Sequence, residues 1–247
     1  GDGVDVVHFY ERECSLQRRR QKVWEEAPSS VLADSLRESL CDAAVALAKA
    51  VGYKGAGTVE FLYDDDGGQF YFIEMNTRIQ VEHPVTEMIC GVDLVAEMIA
   101  IAGGRKLRLR QDDIRRRGHA IEVRLNAEDP ANNFMPFPGV VEALSIPAGP
   151  GVRFDHMLYP GYAIPPFYDS LLGKLIVWAE DRPAALRRLS RALGELEIDG
   201  LPTTAPLFQA LLESKDLQAS AVHTRWLEPW LEQNIDLIKK KEAEPHD

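Results

Sequence analysis

The segment that decides the fold is Phe70-Tyr-Phe-Ile-Glu-Met-Asn-Thr-Arg-Ile-Gln-Val-Glu-His-Pro84, an apolar run followed by alternating polar residues. Its aromatic and β-branched start predicts a strand that leaves a core. In an extended chain every second side chain points to the same face. The polar side chains at that spacing are Glu74, Asn76, Arg78, Gln80 and Glu82. Because so much charge is unfavourable without a ligand or metal, the segment predicts an anion site.

A second strand is predicted just upstream, over Thr58–Tyr63, and a short turn joins it to Phe70–Met75 as a hairpin. Glu60 lies near the middle of this strand and would neighbour Glu74. Two carboxylates and the Asn76 amide suit a hard divalent cation such as Mg²⁺, which is completed by phosphate oxygens and water. The alternative is that both glutamates simply face solvent. Their apolar neighbours favour the metal site, because a glutamate within an apolar strand needs a partner.

The residues after the hairpin predict an anion pocket. Arg78 offers a planar fork that fits carboxylate, bicarbonate or phosphate, and Gln80 can also donate. Glu82 can serve as a general base if the bound anion must lose a proton before it attacks. The alternative is an exposed ladder of salt bridges on an edge strand. His83 is expected to be structural.

Periodicity predicts the remaining elements. A helix bearing Leu36, Leu40 and Leu47 would be capped by Ser29 or Ser30. Further helices are predicted for 92–102, after Pro183, and around 207–212, the last of the chain. Further strands are predicted over 4–10, 119–125, 140–146 and 172–179.

The composition of the 247-residue chain excludes some classes of function. The net charge of -11 argues against a general nucleic-acid binder, which needs a basic surface. No apolar run is long enough to span a bilayer, so no membrane partner is expected. Three cysteines without a C-x-x-C pair indicate neither a disulfide framework nor a zinc site. A reducing compartment is therefore expected: the cytoplasm, or the mitochondrial matrix in a eukaryote.

The segment Glu74–Glu87 resembles the hallmark segment of biotin carboxylases, which are ATP-grasp enzymes. Four other segments resemble the same family in the same order: Glu11–Lys22, Gly55–Phe61, Arg117–Pro130 and Tyr168–Lys174. The resemblance implies an α+β fold in two parts. Residues 1–103 would form the C-terminal half of an ATP-grasp domain with an antiparallel sheet. Residues 104–238 would form the α/β C-terminal subdomain, and 239–247 a mobile tail.

The resemblance also implies a reaction, the ATP-dependent carboxylation of biotin by bicarbonate through carboxyphosphate. Glu60, Glu74 and Asn76 would hold Mg²⁺ or Mn²⁺. Arg78, Gln80 and the Val81 backbone N–H would bind bicarbonate, and Glu82 would deprotonate it. Arg124 would stabilise the enolate-like oxygen of biotin, and Lys22 would assist catalysis. Contacts to ATP are implied for Gln17, Arg20, Lys22 and Leu62, and Arg20 stands where the family usually has histidine.

The expected partners are a biotin carboxyl carrier protein or domain, a carboxyltransferase protein or domain, and a second copy of the chain. The chain alone is expected to be inactive, because the family's N-terminal domain and glycine-rich lid have no counterpart in it. Two alternatives stay open. One is a non-catalytic dimerisation or scaffold fragment, and the other is a different ATP-grasp carboxylate–amine ligase.

Overall fold

The computed structural model describes residues 1–243, and the predicted α+β class is confirmed. Within the described residues, the pairs β1–β2, β4–β5, β6–β11, β7–β8, β9–β12 and β10–β11 are antiparallel. The chain divides into two compact units. The first unit comprises Gly1–Glu13 and Ala27–Arg117, and the second comprises Cys14–Glu26 and Gly118–Asp247.

The helices and strands are numbered in chain order. The strands are β1 Gln17–Arg18, β2 Gln21–Lys22, β3 Trp24–Ala27, β4 Thr58–Asp64, β5 Gln69–Asn76, β6 His119–Asn126, β7 Glu128–Asp129, β8 Met135–Pro136, β9 Leu144–Ser145, β10 Val152–His156, β11 Leu171–Ala179 and β12 Glu197–Ile198. The α-helices are α1 Asp34–Ala50, α2 His83–Cys90, α3 Leu94–Ala102, α4 Arg182–Glu195, α5 Ala205–Leu212, α6 Lys215–Gln218 and α7 Leu227–Ala243. Short 3-10 helices cover Gln111–Asp113 and Pro130–Asn132.

The centre of the first unit is the hairpin β4–β5, which confirms the predicted pair of strands. Its register sets Glu60 opposite Glu74 and Thr58 opposite Asn76. The expectation that the apolar run emerges from a core is wrong, because Tyr71, Phe72 and Ile73 are each more than half exposed. Burial of the strand therefore gives no reason to expect a metal ion at Glu60 and Glu74. Evidence for a metal site must come from the contacts of these two side chains.

The strand does not continue through residues 78–82, so the expected sharing of one face beyond Asn76 is wrong. β5 ends at Asn76, an irregular segment follows, and α2 begins at His83. Pro84 occupies the first turn of α2, where a missing N–H removes no helical hydrogen bond. Gly91 ends the helix in the left-handed conformation, with φ 66°. The sequence analysis missed this helix because the alternating polar residues suggested continued extension.

Two details near the start of the chain differ from expectation. Helix α1 begins at Asp34 without a side-chain cap, whereas Ser29 donates its hydroxyl to Glu13 and its backbone N–H to Glu11. Residues 4–10 form no strand. In this segment the backbone N–H of His8 instead donates to the side chain of Gln111 at 2.8 Å.

The second unit is built on a four-stranded sheet in the order β10-β11-β6-β3, in which β10, β11 and β6 are antiparallel to their neighbours in that set. Helix α4 packs on β6 and β11, and α5 packs on α4 and α7, which encloses a core around Phe208. The strands predicted over 119–125 and 172–179 are confirmed. Within 140–146 only β9 forms, paired with β12. Helix α7 follows α5 and α6, so the expectation that α5 is the last helix is wrong, and 239–243 of the predicted tail are helical. Residues 244–247 lie outside the described residues.

No helix within residues 1–243 combines the length and the apolar character needed to cross a membrane. Within residues 1–243, Cys14, Cys41 and Cys90 form no disulfide. Burial raises the pKa of both the Cys41 and the Cys90 thiol to about 12, so neither is a thiolate nucleophile at neutral pH.

The turn between β1 and β2 is strained, because Arg19 and Arg20 both have positive φ, 49° and 68°. Two-residue hairpin turns of this kind favour Asn-Gly. We expect Arg20→Gly to raise the free energy of unfolding of the second unit by roughly 0.5–1 kcal/mol, since relief of left-handed strain exceeds the entropy lost by glycine. Urea denaturation measures the change. Gln21→Gly, one residue further along in β2, is the control and should lower the free energy of unfolding. Equal changes in the free energy of unfolding for both variants would contradict strain at Arg20.

Candidate functional site

The hairpin glutamates are linked through one amide. Asn76 Nδ2 lies 3.2 Å from Glu60 Oε1 and 3.0 Å from Glu74 Oε1, and donates to both. The antiparallel register brings these side chains to one place, since Glu60 and Glu74 are direct partners across the strands. The two carboxylates therefore converge at the end of the hairpin where β5 leads into the irregular segment.

The irregular segment brings two more polar groups to the same place. Arg78 NH2 donates to Asn76 Oδ1 at 3.2 Å, and Gln80 Nε2 donates to Glu60 Oε1 at 2.9 Å. The structure thus joins five of the predicted residues in one hydrogen-bonded group. This group, here called the hairpin site, consists of Glu60, Glu74, Asn76, Arg78 and Gln80. Arg78 is exposed and Gln80 is only 5% exposed, so the site has one solvent-facing cation over a buried amide.

Glu82 lies at the N-terminus of α2, where it is the N-cap residue and is 2% exposed. The preceding Val81 is half-buried in the same turn. His83 donates from Nδ1 to the Gln80 carbonyl at 2.8 Å, a local contact that suits a structural histidine. The start of α2 therefore fixes the position of the predicted base.

The oxygen ligands of the hairpin site fit a divalent cation bound together with phosphate. Residues 1–243 contain no cluster of three or more His, Cys, Asp or Glu side chains arranged to hold a metal ion. Magnesium commonly takes only one or two carboxylates and completes its shell with substrate phosphates and water. Glu60 and Glu74 meet that need. Asn76 faces them with its nitrogen and gives its oxygen to Arg78, so its amide would have to turn before it could be a ligand.

In the second unit, Arg124 is held by a buried carboxylate on the neighbouring strand. Arg124 lies on β6, and its Nε donates to Glu25 Oε1 on β3 at 2.7 Å. Glu25 is fully buried. A charge-assisted pair of this kind fixes the direction of a guanidinium far better than an exposed pair.

Arg124 and Lys22 line one cleft. Its polar lining comprises Arg18, Gln21, Lys22, Arg124, Asn126, Glu128 and Thr204.

Gln17 is the β1 partner of Lys22 and donates from Nε2 to the Cys14 carbonyl at 2.9 Å. Arg20 is exposed in the turn between β1 and β2. Leu62 belongs to the first unit, where it is exposed on β4. The predicted residues are thus divided between the two units.

Beside Glu25, β3 carries a second buried carboxylate with a structural network. Glu26 accepts hydrogen bonds from His119 Nε2 at 2.7 Å, Arg182 Nε at 2.6 Å and Trp24 Nε1 at 2.8 Å. Burial alone would raise the pKa of Glu26, but the His119 and Arg182 contacts outweigh it and lower that pKa to about 2. The network joins β3, β6 and the start of α4.

Sequence reasoning did not single out Arg12 or Glu25. Arg12 donates to Gln80 across 68 residues of chain, and Arg124 donates to Glu25 across 99. The spacing of residues along the sequence does not indicate contacts between residues so far apart. Arg12 lay within the segment Glu11–Lys22 that carried the resemblance, so family similarity was the only available signal.

Comparison with known families divides the chain into two matched segments. Residues 2–110 match the family described as carbamoyl-phosphate synthase L chain, ATP binding domain. Residues 122–229 match the biotin carboxylase C-terminal domain.

Curated relatives and solved structures agree with these matches. The biotin carboxylase of Nostoc sp. is 55% identical over 224 residues, which is 91% of this chain and 50% of the relative. Biotin carboxylase 1 of Bacillus subtilis is 51% identical over 226 residues, 92% of this chain and 50% of the relative. A solved dimer of the biotin carboxylase domain of Hydrogenobacter thermophilus 2-oxoglutarate carboxylase, in complex with MgADP, ADP and bicarbonate, is 48% identical. The two structures match with a TM-score of 0.90, and the match covers 96% of this chain and 51% of that chain.

Over more than nine-tenths of its length the chain is similar to biotin carboxylases. It spans about half the length of the curated relatives that it matches.

Proposed function

We propose that this chain is part of an enzyme that carboxylates biotin on a carrier protein, using ATP and bicarbonate. The observation that carries the proposal is the hairpin site, in which two carboxylates, two amides and an exposed guanidinium are joined by hydrogen bonds. Such a set suits a phosphate-bound cation beside a small anion. Further support comes from the related 2-oxoglutarate carboxylase domain, which was solved with MgADP and bicarbonate.

Bicarbonate would be bound by the side chains around Arg78. The Arg78 guanidinium is exposed and can offer two parallel N–H groups to the anion. Gln80 Nε2 and the Val81 backbone N–H would donate to the remaining oxygens. Glu82 would take the proton as the bicarbonate oxygen attacks the terminal phosphorus of ATP; the bond to the bridging oxygen breaks, ADP leaves, and carboxyphosphate is formed. A fixed group of donors and one base mainly positions and neutralises charge, as phosphoryl transfer requires.

Glu60, Glu74 and, after rotation of its amide, Asn76 would hold Mg²⁺. When bound, the cation neutralises charge on the ATP phosphates. Mn²⁺ suits the same oxygen ligands and is proposed as a substitute. In the second unit, Arg124 would stabilise the negative oxygen of deprotonated biotin, with Lys22 as a second cation in the same cleft. Gln17, Arg20 and Leu62 are retained as proposed contacts to ATP.

The predicted domains over 1–103 and 104–238 are retained in this proposal, supported by separate family matches over 2–110 and 122–229. We propose that the partners are a biotin carrier, a carboxyltransferase and a second copy of the chain. The similar 2-oxoglutarate carboxylase domain is described as a dimer, which supports the last of these. Three cysteines that form no disulfide in the described residues favour a reducing compartment such as the cytoplasm or the mitochondrial matrix.

The proposed function is tested by measuring ATP cleavage in the complete carboxylase that contains this chain. We expect cleavage to require bicarbonate and to be accompanied by transfer of labelled carboxyl to biotin. Cleavage that depends instead on an amine acceptor and a carboxylate would contradict the proposal and favour a carboxylate–amine ligase.

Arg78→Ala is expected to raise the KM for bicarbonate by roughly 10- to 150-fold, which is the 1.5–3 kcal/mol of a hydrogen bond to a charged group. The KM for ATP should change little, because the guanidinium contacts the anion and not the nucleotide. Arg108→Ala is the matched control, since Arg108 is an exposed arginine of the same unit paired with Glu97 at 3.3 Å. An unchanged bicarbonate KM in Arg78→Ala would remove Arg78 from the anion site.

A further inference from the structure

Arg12 lies beneath the hairpin site and connects three parts of the first unit. Its NH2 donates to Gln80 Oε1 at 2.9 Å and to Thr58 Oγ1 at 3.0 Å, and its NH1 donates to Thr86 Oγ1 at 3.0 Å. Thr58 begins β4, Gln80 lies in the irregular segment, and Thr86 lies on α2. Gln80 and Thr86 are buried, and Arg12 and Thr58 are half-buried, so these contacts are partly shielded from water.

The contact with Gln80 determines which end of that amide faces the hairpin site. A guanidinium has only donors, so it can approach the oxygen of a glutamine amide but not its NH2 group. With Oε1 held by Arg12, Nε2 points the other way and donates to Glu60 at 2.9 Å. The NH2 group has a second hydrogen that can be donated to an anion. Rotation of the amide by 180° would instead set Oε1 against the anion and against Glu60, with repulsion from both.

We propose that Arg12 is a positioning residue for bicarbonate: it locks the Gln80 side chain so that the amide presents a donor to the anion. The inference rests on the proposed function, since it assigns bicarbonate to the Arg78 and Gln80 side chains. Arg12 acts through Gln80 and does not touch the substrate itself.

The test is steady-state kinetics of the complete carboxylase with Arg12→Met, which keeps an apolar stem and removes all donors. We expect the KM for bicarbonate to rise by roughly tenfold or more, the usual effect of one charged hydrogen bond, with the KM for ATP within about twofold. In a Gln80→Met background the same replacement should change the bicarbonate KM by less than about twofold, because the amide through which Arg12 acts is gone.

Arg37→Met is the matched control. Arg37 is a buried arginine of the same unit that binds Glu11 and the Ser29 and Leu32 carbonyls, none of which belongs to the hairpin site. It should lower thermal stability without a selective change in the bicarbonate KM. If Arg12→Met does not fold, Arg12→Lys replaces it, because a lysine keeps the charge but lacks the planar fork, and the bicarbonate KM should again rise.

Two results would overturn the inference while leaving the proposed function intact. One is an active wild type whose bicarbonate KM is unchanged by Arg12→Met. The other is an equal rise in the bicarbonate KM when Arg12→Met is made in the wild-type and in the Gln80→Met background, which is what a purely structural role of Arg12 predicts. A wild type without bicarbonate-dependent ATP cleavage would instead contradict the proposed function, and this inference with it.

Discussion

Glu82→Gln is expected to lower the rate of biotin carboxylation by a factor of roughly 100 to 10,000, the usual contribution of a general base. Glutamine has nearly the same shape but cannot accept the proton of bicarbonate. Glu82 is 2% exposed at the N-terminus of α2, so packing around the start of the helix holds its side chain in place. The loss should therefore appear in kcat, measured as carboxyl transfer to biotin in the complete carboxylase.

Glu87→Gln is the control for this experiment. Glu87 is a second buried glutamate on α2, and its Oε1 accepts the backbone N–H of Leu94 at 2.8 Å, so its role is structural. Activity within a few-fold of wild type is expected for this variant, with circular dichroism showing that both proteins are folded. Near-normal carboxylation by Glu82→Gln would mean that another group removes the proton.

Glu26→Ala is expected to lower the free energy of unfolding of the second unit by about 3–5 kcal/mol, the effect of breaking a buried ion pair. The replacement leaves the buried His119 and the partly buried Arg182 without their shared carboxylate. All four tryptophans lie in the second unit, so their fluorescence during urea denaturation of this chain reports that unit alone. They are Trp24, Trp178, Trp226 and Trp230.

The contribution of Glu26 should also depend on pH in a defined direction. Its pKa is about 2 in the folded protein and 4.5 when unperturbed, so the unfolded state binds the proton more readily. The carboxylate therefore contributes about 3 kcal/mol above pH 4.5, and this contribution is lost as the pH falls toward 2. The stability difference between wild type and Glu26→Ala should narrow over that range.

Glu195→Ala provides the matched control, because Glu195 is an exposed glutamate of the same unit that pairs with Arg191 four residues earlier. For Glu195→Ala, the free energy of unfolding is expected to change by less than about 0.5 kcal/mol at any pH. Equal losses in Glu26→Ala and Glu195→Ala would show that the buried network contributes no more than a surface pair.

The hairpin could be predicted from sequence because local signals suffice there. Strand-forming residues flank a turn rich in Asp and Gly, and the pairing then sets Glu60 opposite Glu74 without any distant contact. The same holds for β6 and α4, whose periodicity is strong, and for β11, which is a largely apolar run. The predicted grouping of Arg78 and Gln80 with these glutamates also agrees with the structure, although the reason given for it was wrong. An irregular turn, and not an extended strand, brings them together.

The features that the sequence did not reveal depend on contacts between distant segments. Helix α2 was not predicted, because the alternating polar residues indicated an extended chain and Pro84 alone does not identify the first turn of a helix. Arg12 and Glu25 look like ordinary charged residues in the sequence. Their roles follow only from the partners that folding brings to them, Gln80 and Arg124.

The central claim is that the hairpin and the segment after it gather cation ligands and an anion-binding guanidinium around one place. The most direct measurement is a crystal structure of the complete carboxylase with magnesium, a non-hydrolysable ATP analogue and bicarbonate. The account predicts Mg²⁺ at about 2.1 Å from oxygens of Glu60 and Glu74, with bicarbonate on the Arg78 fork. A nucleotide-bound metal held by other carboxylates, with the anion away from Arg78, would contradict it.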